Sequence, residues 1–326
     1  MLKSSWPCFD AGSDYCPCIL AHFGQCVSCS MLRGDVRCDC GWNGICVYDE
    51  FTRNRQSVKP GRQEIVAIVI ERKEIANNGN CRAFWSRLSV TPNLARWSVF
   101  PGSFVLLRPR GTREAFNVPI SIMETSEDGA LEIAVEVQGI KTTALEQALQ
   151  VKQEVLATGP FWSGLQGYSL LTHLGAKNIL VITKGMGQAP VPLIARYIVH
   201  RGGNVKIMVG PGKLGQVFIT ENLQKLKAPF EVLPKATDHN LERYKQEIET
   251  GNYDLLISAG SSLQHQGILE LLAKSSLHRK VPHFLWTSPL RMTCAEGICG
   301  SCLVSGFRGC KAQFDGNLKS GFEPNN

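Results

Sequence analysis

The sequence predicts a multi-domain chain: an antiparallel β-barrel, then an α/β domain with a parallel sheet, with a cysteine loop at the C-terminal end and a Cys-rich, metal-stapled segment at the N-terminal end. Three observations predict it. Short β-branched runs broken by turn residues fill the stretch after residue 59, and from Ile179 onward apolar strands alternate with helical stretches. The thirteen cysteines are confined almost wholly to the two ends, eight before residue 47 and four after residue 293. The expected boundaries are 1–58 for the Cys-rich segment, 59–150 for the barrel, 151–290 for the α/β domain and 291–326 for the C-terminal segment.

Residues 1–58 carry Cys8, Cys16, Cys18, Cys26, Cys29, Cys38, Cys40 and Cys46, interleaved with glycines and with little aliphatic content. Metal binding can supply folding energy that so small an apolar core cannot. Two four-thiolate sites are expected, holding either iron–sulfur clusters or zinc; the spacings match neither a zinc finger nor the bacterial ferredoxin run. His22 is expected to pack locally, and Cys81, away from both groups, to be a small core residue.

After the linker Lys59-Pro60-Gly61, the runs Glu64 to Glu71, Phe104 to Arg108, Pro119 to Met123 and Leu131 to Val137 read as strands. Asn77-Asn78-Gly79, Pro101-Gly102 and Asp128-Gly129 are their turns. In the second domain the expected strands are Ile179 to Thr183, Val205 to Val209, Leu255 to Ser258 and Phe284 to Trp286. The helices are expected at Val191 to His200, Leu214 to Leu226, Asn240 to Thr250 and Gln266 to Lys274. That alternation gives a parallel sheet covered on both faces. At the end of its first strand, Lys184-Gly185-Met186-Gly187 leads into a helix opened by Pro190 and Pro192, a turn in which backbone N–H groups can approach a pyrophosphate.

The C-terminal segment contains Cys294, Cys299, Cys302 and Cys310, spaced C-x4-C-x2-C-x7-C. This is the plant-type spacing for a [2Fe-2S] cluster. Gly297 and Gly300 let the loop wrap tightly and aim amides at sulfur. Zinc sites favour two separated C-x2-C pairs, and a disulfide framework belongs to oxidising compartments.

Composition narrows the function classes. With 44% hydrophobic and 19% charged residues the chain is an ordinary globular one. Its longest aliphatic run, Ile65 to Ile70, is strand-sized, so no membrane span is expected. The first residues lack the apolar core of a signal peptide, and a cytoplasmic location is expected. The net charge of +7 comes from scattered Lys and Arg without an aromatic-basic motif, which argues against nucleic acid as a partner and against a zinc-stabilised nucleic-acid-binding module.

Further motifs carry a resemblance. Pro101-Gly102-Ser103-Phe104-Val105, Val118-Pro119-Ile120-Ser121, Gly139-Ile140-Lys141-Thr142-Thr143 and Gly159-Pro160 occur in this order ahead of the glycine turn and the cysteine loop. Across about residues 60 to 315 the chain resembles the ferredoxin-NADP reductase superfamily, and more closely the electron-transfer subunit of NAD-linked dihydroorotate dehydrogenase and the sulfide dehydrogenase small subunit. The N-terminal cysteines lie outside that resemblance.

The resemblance implies FAD held by Pro119, Ser121, Gly139, Lys141, Thr142 and Thr143, a nucleotide domain opening at Gly159, and NAD(P) at Gly185, Gly187 and Gly260. It implies an oxidoreductase, an iron–sulfur flavoprotein subunit passing electrons between NAD(P)H, FAD and a partner oxidoreductase or ferredoxin-like carrier through the [2Fe-2S] cluster. No acid-base catalytic residue is called for. Three departures stand out: Val118 where many relatives have arginine, Lys184-Gly185-Met186-Gly187 for a longer glycine run, and Ala259-Gly260-Ser261 for Cys-Gly-Pro. They leave an alternative, an electron-relay or scaffold subunit that does not itself bind NAD(P).

Overall fold

The computed structural model describes residues 8–39, 44–79, 81–173, 178–235, 238–274, 283–288, 292–304 and 306–313. Cys40 lies outside the described residues, as do residues 1–7 and 314–326.

The N-terminal segment has little regular structure: helix α1 (Ile19–His22), a 3-10 turn at Met31–Arg33 and helix α2 (Val47–Arg53). Its core is small. Ala21, Cys29, Leu32, Val47 and Phe51 are buried together, with Cys16, Cys26, Met31 and Val58 packed against them. His22 is exposed and meets Phe23 edge-on.

Six antiparallel strands then close a barrel: β1 (Glu64–Asn77), β2 (Arg82–Ser89), β3 (Phe104–Pro109), β4 (Val118–Ser126), β5 (Ala130–Val137) and β6 (Glu154–Phe161), in the order β1-β2-β5-β4-β3-β6. Alternation along β1 puts Ala67 and Val69 inside the barrel while Val66, Ile68 and Ile70 face out. Helix α3 (Pro92–Trp97) starts on Thr91, whose hydroxyl accepts from Leu94 N, with Pro92 in its first turn. Helix α4 (Ile140–Ala148) caps one end through Leu145. Cys81 is buried.

Strands β2 and β6 were not among those expected. Gly159-Pro160, expected to open the nucleotide domain, lies instead within β6, which is paired on both sides, Ala157 with Ile65 of β1 and with Leu107 of β3. Tertiary pairing outweighs the weak local signal. The barrel therefore ends at Phe161 rather than at the expected boundary of residue 150.

After β7 (Leu165–Gln166) and helix α5 (Tyr168–His173), the second sheet is built from β8 (Asn178–Lys184), β9 (Asn204–Gly210), β10 (Phe230–Val232), β11 (Leu255–Ala259) and β12 (His283–Thr287). Its order is β10-β9-β8-β11-β12-β7, parallel except for β7. Helices α6 (Val191–His200), α7 (Thr220–Lys225), α8 (Asp238–Thr250) and α9 (Ser262–Lys274) cover it. Neighbouring strand residues face opposite cores, Ile179 and Val181 joining Ile194 and Leu223, while Leu180 and Ile182 join Tyr244 and Ile268. The single helix expected over 214–226 is a 3-10 turn at Gly212–Leu214 followed by α7, because Gly215 at φ +78° breaks the run.

Helix α6 joins the two halves. Leu193 enters the barrel core while Val191, Ile194, Ala195 and Ile198 enter the sheet core. Arg196 donates to Thr125 Oγ1 at 3.1 Å and pairs with Glu124 of β4. A short ribbon, β13 (Leu303–Val304) with β14 (Phe307–Arg308), follows the sheet.

Candidate functional site

Strand β3 is buried on both faces, and this positions the site. Val105 and Leu107 point into the barrel, whereas Phe104 and Leu106 point outward and pack with Phe161, Met292, Ala295, Cys302 and Cys310. Phe104 and Met292 also line a cleft of about 950 Å³ between barrel and sheet. One apolar contact thus runs from the cleft to the cysteine loop.

The barrel wall of the cleft is Phe104, Pro119, Ser121, Glu136 and Gln138; the opposite wall comes from Lys184 to Gly187, Gly212, Lys213, Gly260, Ser261 and Thr287. Phe104 and Ser121 are register partners on β3 and β4, so the ring and the hydroxyl emerge side by side. The sheet wall lies at the carboxyl ends of β8 and β11, where the strand order reverses, the usual ligand crevice of such sheets.

The two glycines of the turn have different tasks. A Cβ on Gly187 would sit 2.1 Å from Ala259 O, so this glycine lets the β8 and β11 turns touch. Gly185, at φ +58°, has nothing within 4 Å of its would-be Cβ and leaves its backbone open to a ligand. Below them, Gly260 N donates to Thr287 Oγ1 at 3.1 Å, and Gln264 Nε2 donates to Ile182 O at 3.1 Å and Ala259 O at 3.2 Å.

His265, missed by sequence reasoning, lies fully buried behind this wall. Its Nε2 is 3.0 Å from Thr287 O, which can only accept, so Nε2 carries the proton and Nδ1 accepts from Ser258 Oγ at 2.7 Å. Burial lowers its pKa to about 4 against the opposing hydrogen bonds to Thr287 and Gly260, so the ring is neutral.

Around residue 139 the geometry divides the expected flavin contacts. Gly139 caps α4 and has nothing within 4 Å of its would-be Cβ. Thr142 Oγ1 accepts from Gln138 N at 2.8 Å and Gly139 N at 3.0 Å, so it holds the helix entry. Gly139, Lys141, Thr142 and Thr143 do not themselves line the cleft; they follow Gln138, which does. Gly159 borders a separate hollow of about 370 Å³ with Tyr15 and Trp97. The cleft volume, the open Gly185 and Gly139 backbones and the first amides of α4, which have no intrahelical partner, fit a flavin and a dinucleotide.

The C-terminal loop brings its four cysteines together. Ala295, Gly297 and Gly300 take positive φ, and the turn aims the amides of Glu296 and Cys299 at Cys294 Sγ, each at 3.4 Å. Burial opposes ionisation of Cys299, but hydrogen bonds from Ser301 and Cys294 bring its thiol down to about 7. Hydrogen bonding from Cys310 draws Cys302 down to about 6, and the same bond, with burial, pushes Cys310 up. Paired sulfurs, N–H groups aimed at sulfur and an apolar seat fit an anionic [2Fe-2S] cluster. Among the described residues, no three His, Cys, Asp or Glu side chains converge as ligands of one metal ion.

Sequence reasoning also missed a buried charge network. Arg62 Nη2 donates to Asp10 Oδ1 at 2.7 Å, and Lys311 Nζ to Glu296 Oε2 at 2.7 Å and Asp10 Oδ2 at 2.5 Å. The Arg62 guanidinium lies 3.9 Å over the Tyr15 ring and 4.5 Å from the Phe161 ring centroid. It ties the N-terminal segment, the barrel and the cysteine loop at one point.

No protein-family model matches the chain. The probable dihydroorotate dehydrogenase B (NAD(+)) electron transfer subunit of Archaeoglobus fulgidus is 24% identical over 221 residues, 65% of this chain and 83% of its own length. A solved NADH-dependent reduced ferredoxin-NADP oxidoreductase, studied for flavin-based electron bifurcation, matches with a TM-score of 0.60 at 19% identity, covering 77% of this chain and 88% of its own. Ferredoxin-NADP+ reductase from Plasmodium falciparum matches with a TM-score of 0.51 at 10% identity, covering 67% and 91%. The chain thus shares the fold of the ferredoxin-NADP reductases, and the proteins it is similar to in sequence are electron transfer subunits of dihydroorotate dehydrogenase B.

Proposed function

We propose that the chain is an iron–sulfur flavoprotein electron-transfer subunit, linking NAD(P)H to a partner oxidoreductase through FAD in the cleft and a [2Fe-2S] cluster in the C-terminal loop. The observation that carries this reading is the shared position of Phe104 and Met292, which line the cleft and pack against Cys302 and Cys310. A flavin supplies two-electron acceptance and one-electron release, which a hydride donor and a single-electron carrier together require.

The chain's own residues bind and orient. Ser121 offers a hydroxyl beside Phe104, the amides opening α4 would hold a pyrophosphate, and the open backbone at Gly185 would receive a second nucleotide. Lys184 and Lys213 add positive charge to the sheet wall, and Lys213 is paired with Glu136 of the barrel. Met292, Phe161 and Leu106 keep water from the cysteine loop's inner face. Exposed Cys299 and Ile298 mark the outer face as the side from which a partner takes electrons.

The test is anaerobic titration of the isolated holoprotein with NADH and NADPH. Bleaching of the flavin band, followed by a reduced iron–sulfur signal, is expected. A second reading, a relay subunit without NAD(P), is favoured by the Ala259-Gly187 contact, which closes part of the turn. It predicts a flavin that dithionite bleaches and neither nucleotide does.

A further inference from the structure

The N-terminal cysteines lie outside the resemblance, and the fold gathers four of them. Cys29 is buried in the small core formed with Ala21, Leu32, Val47 and Phe51, and Cys16 and Cys26 pack against it. Cys26 lies within electrostatic reach of Cys18 and Cys29, and Cys16 within reach of Cys18 and Cys26. The sulfurs also receive backbone N–H groups: Cys29 N lies 3.4 Å from Cys26 Sγ, with Ser28 N directed at the same sulfur and Gly12 N at Cys16. Neutral buried thiols gain little from such donors, whereas metal-bound thiolates are stabilised by them.

This group sits directly on the C-terminal loop. Cys8 bridges Ala312, and Phe9 N donates to Lys311 O at 2.8 Å. The Leu20 side chain occupies the space beside Gly297, whose would-be Cβ lies 2.9 Å from Leu20 Cδ1. Arg308 donates from Nε to Gly297 O and from Nη2 to Gln25 Oε1, both at 2.6 Å, spanning the two segments. Leu20 and Gln25 thus flank the loop on the stretch that joins Cys18 to Cys26.

We propose that Cys16, Cys18, Cys26 and Cys29 hold one iron–sulfur cluster, a second electron-transfer centre beside the cluster of the C-terminal loop. Zinc would add no redox centre, whereas an iron–sulfur cluster held by four thiolates beside the C-terminal loop gives an electron-transfer chain a second one. Cys8 lies beside Asp10 and Lys311 on the C-terminal loop, with Cys18 within its electrostatic reach, and Cys38 and Cys46 are exposed. The step is a transfer of one electron from the reduced C-terminal cluster to the oxidised N-terminal one, with no bond made or broken. That relay rests on the proposed function above; metal binding by the four thiols does not.

The experiment uses the anaerobically isolated full chain. In the wild type, iron and acid-labile sulfide should exceed what one [2Fe-2S] cluster holds, and electron paramagnetic resonance of the dithionite-reduced protein should resolve two spin systems. Cys26→Ser should lose one spin system and at least about two irons per chain while keeping the signal of the C-terminal cluster. Cys299→Ala should keep the N-terminal signal under dithionite and slow its appearance under NADH or NADPH by at least about tenfold, because the intervening centre is gone.

A wild type with no spin system that Cys26→Ser removes, equal iron in wild type and Cys26→Ser, or zinc in place of iron overturns the N-terminal cluster. An unchanged reduction rate in Cys299→Ala overturns the relay. Loss of the C-terminal signal alone from the wild type would sink the proposed function and leave the N-terminal site standing.

Discussion

Asp10 and Lys311, 301 residues apart in sequence, meet as a buried ion pair, Lys311 Nζ lying 2.5 Å from Asp10 Oδ2. The Lys311 side chain is fully buried and Asp10 nearly so, with Arg62 and Glu296 completing two positive and two negative charges. A buried ion pair stabilises little relative to apolar groups, but removing one partner strands the others.

Lys311→Met is therefore expected to lower unfolding free energy by about 3–5 kcal/mol, because Asp10 and Glu296 are left with Arg62 alone. Replacing Asp10 by Leu in the same chain should recover part of the loss, since coupled charges are not additive. Urea denaturation of the two variants beside the wild type measures both. A Lys311→Met loss below about 1 kcal/mol would show the network to be solvated in solution.

His265 gives a pH signature. Its folded pKa of about 4 lies below the unfolded value of 6.5, so between these the unfolded chain binds the proton that the folded one refuses. Its contribution is complete above pH 6.5 and lost as pH falls towards 4, amounting to about 3 kcal/mol. Asp10 is held below its ordinary value, since Lys311 and Arg62 outweigh its burial, so its loss comes only at lower pH. Lys311 is raised: attraction to Asp10 and Glu296 outweighs the burial that opposes its charge. Its contribution is complete below its ordinary 10.5 and persists into more alkaline solution. Stability curves of wild type and His265→Gln should differ in slope between pH 4 and 6.5 and run parallel from pH 7 to 10.

The glycine turn separates contact from access. Gly187→Ala drives a methyl into Ala259 O and should cost about 1–3 kcal/mol while prising the β8 and β11 turns apart. Gly185→Ala meets no neighbour and should cost about 1–2 kcal/mol through its left-handed backbone. Thermal melts report the cost, and titration with NADH shows whether the Gly185 methyl blocks the nucleotide. Equal melts for Gly187→Ala and wild type would contradict the close approach.

Thr142→Ala removes the acceptor for Gln138 N and Gly139 N and should cost about 1 kcal/mol at the start of α4. Combined with Ser121→Ala, it should lower bound FAD well below one per chain while the protein stays soluble. Thr142→Ser, which keeps the oxygen, should retain flavin. Full flavin in the double variant would place the site elsewhere.

Most of the architecture was legible in local patterns. Alternation in β1 and the continuous apolar runs of β8, β9 and β11 announce a half-buried barrel strand and a sheet covered on both faces. Strand β6 was not, because a Gly-Pro pair weakens strand signals that only pairing on both sides restores. At the site, Gly185 and Gly187 look alike in sequence, and only the position of Ala259 O separates their tasks. Thr142 reads as a ligand hydroxyl, whereas its oxygen accepts from the backbone at the start of α4. The charges at Asp10, Arg62, Glu296 and Lys311 had no local signature, since each is ordinary until the chain folds; their proximity to cysteines was the nearest clue.

The Asp10–Lys311 pair also orders events during synthesis. At about 5–20 residues per second, the 301-residue separation between them takes roughly 15–60 s to make. Once they leave the exit tunnel, the early thiols wait while the surface that will seat them does not yet exist. Loading of the proposed cluster onto Cys16, Cys18, Cys26 and Cys29 in their final arrangement would then be a late event, and a nascent chain stalled in the α/β domain would present those thiols unseated to oxidants.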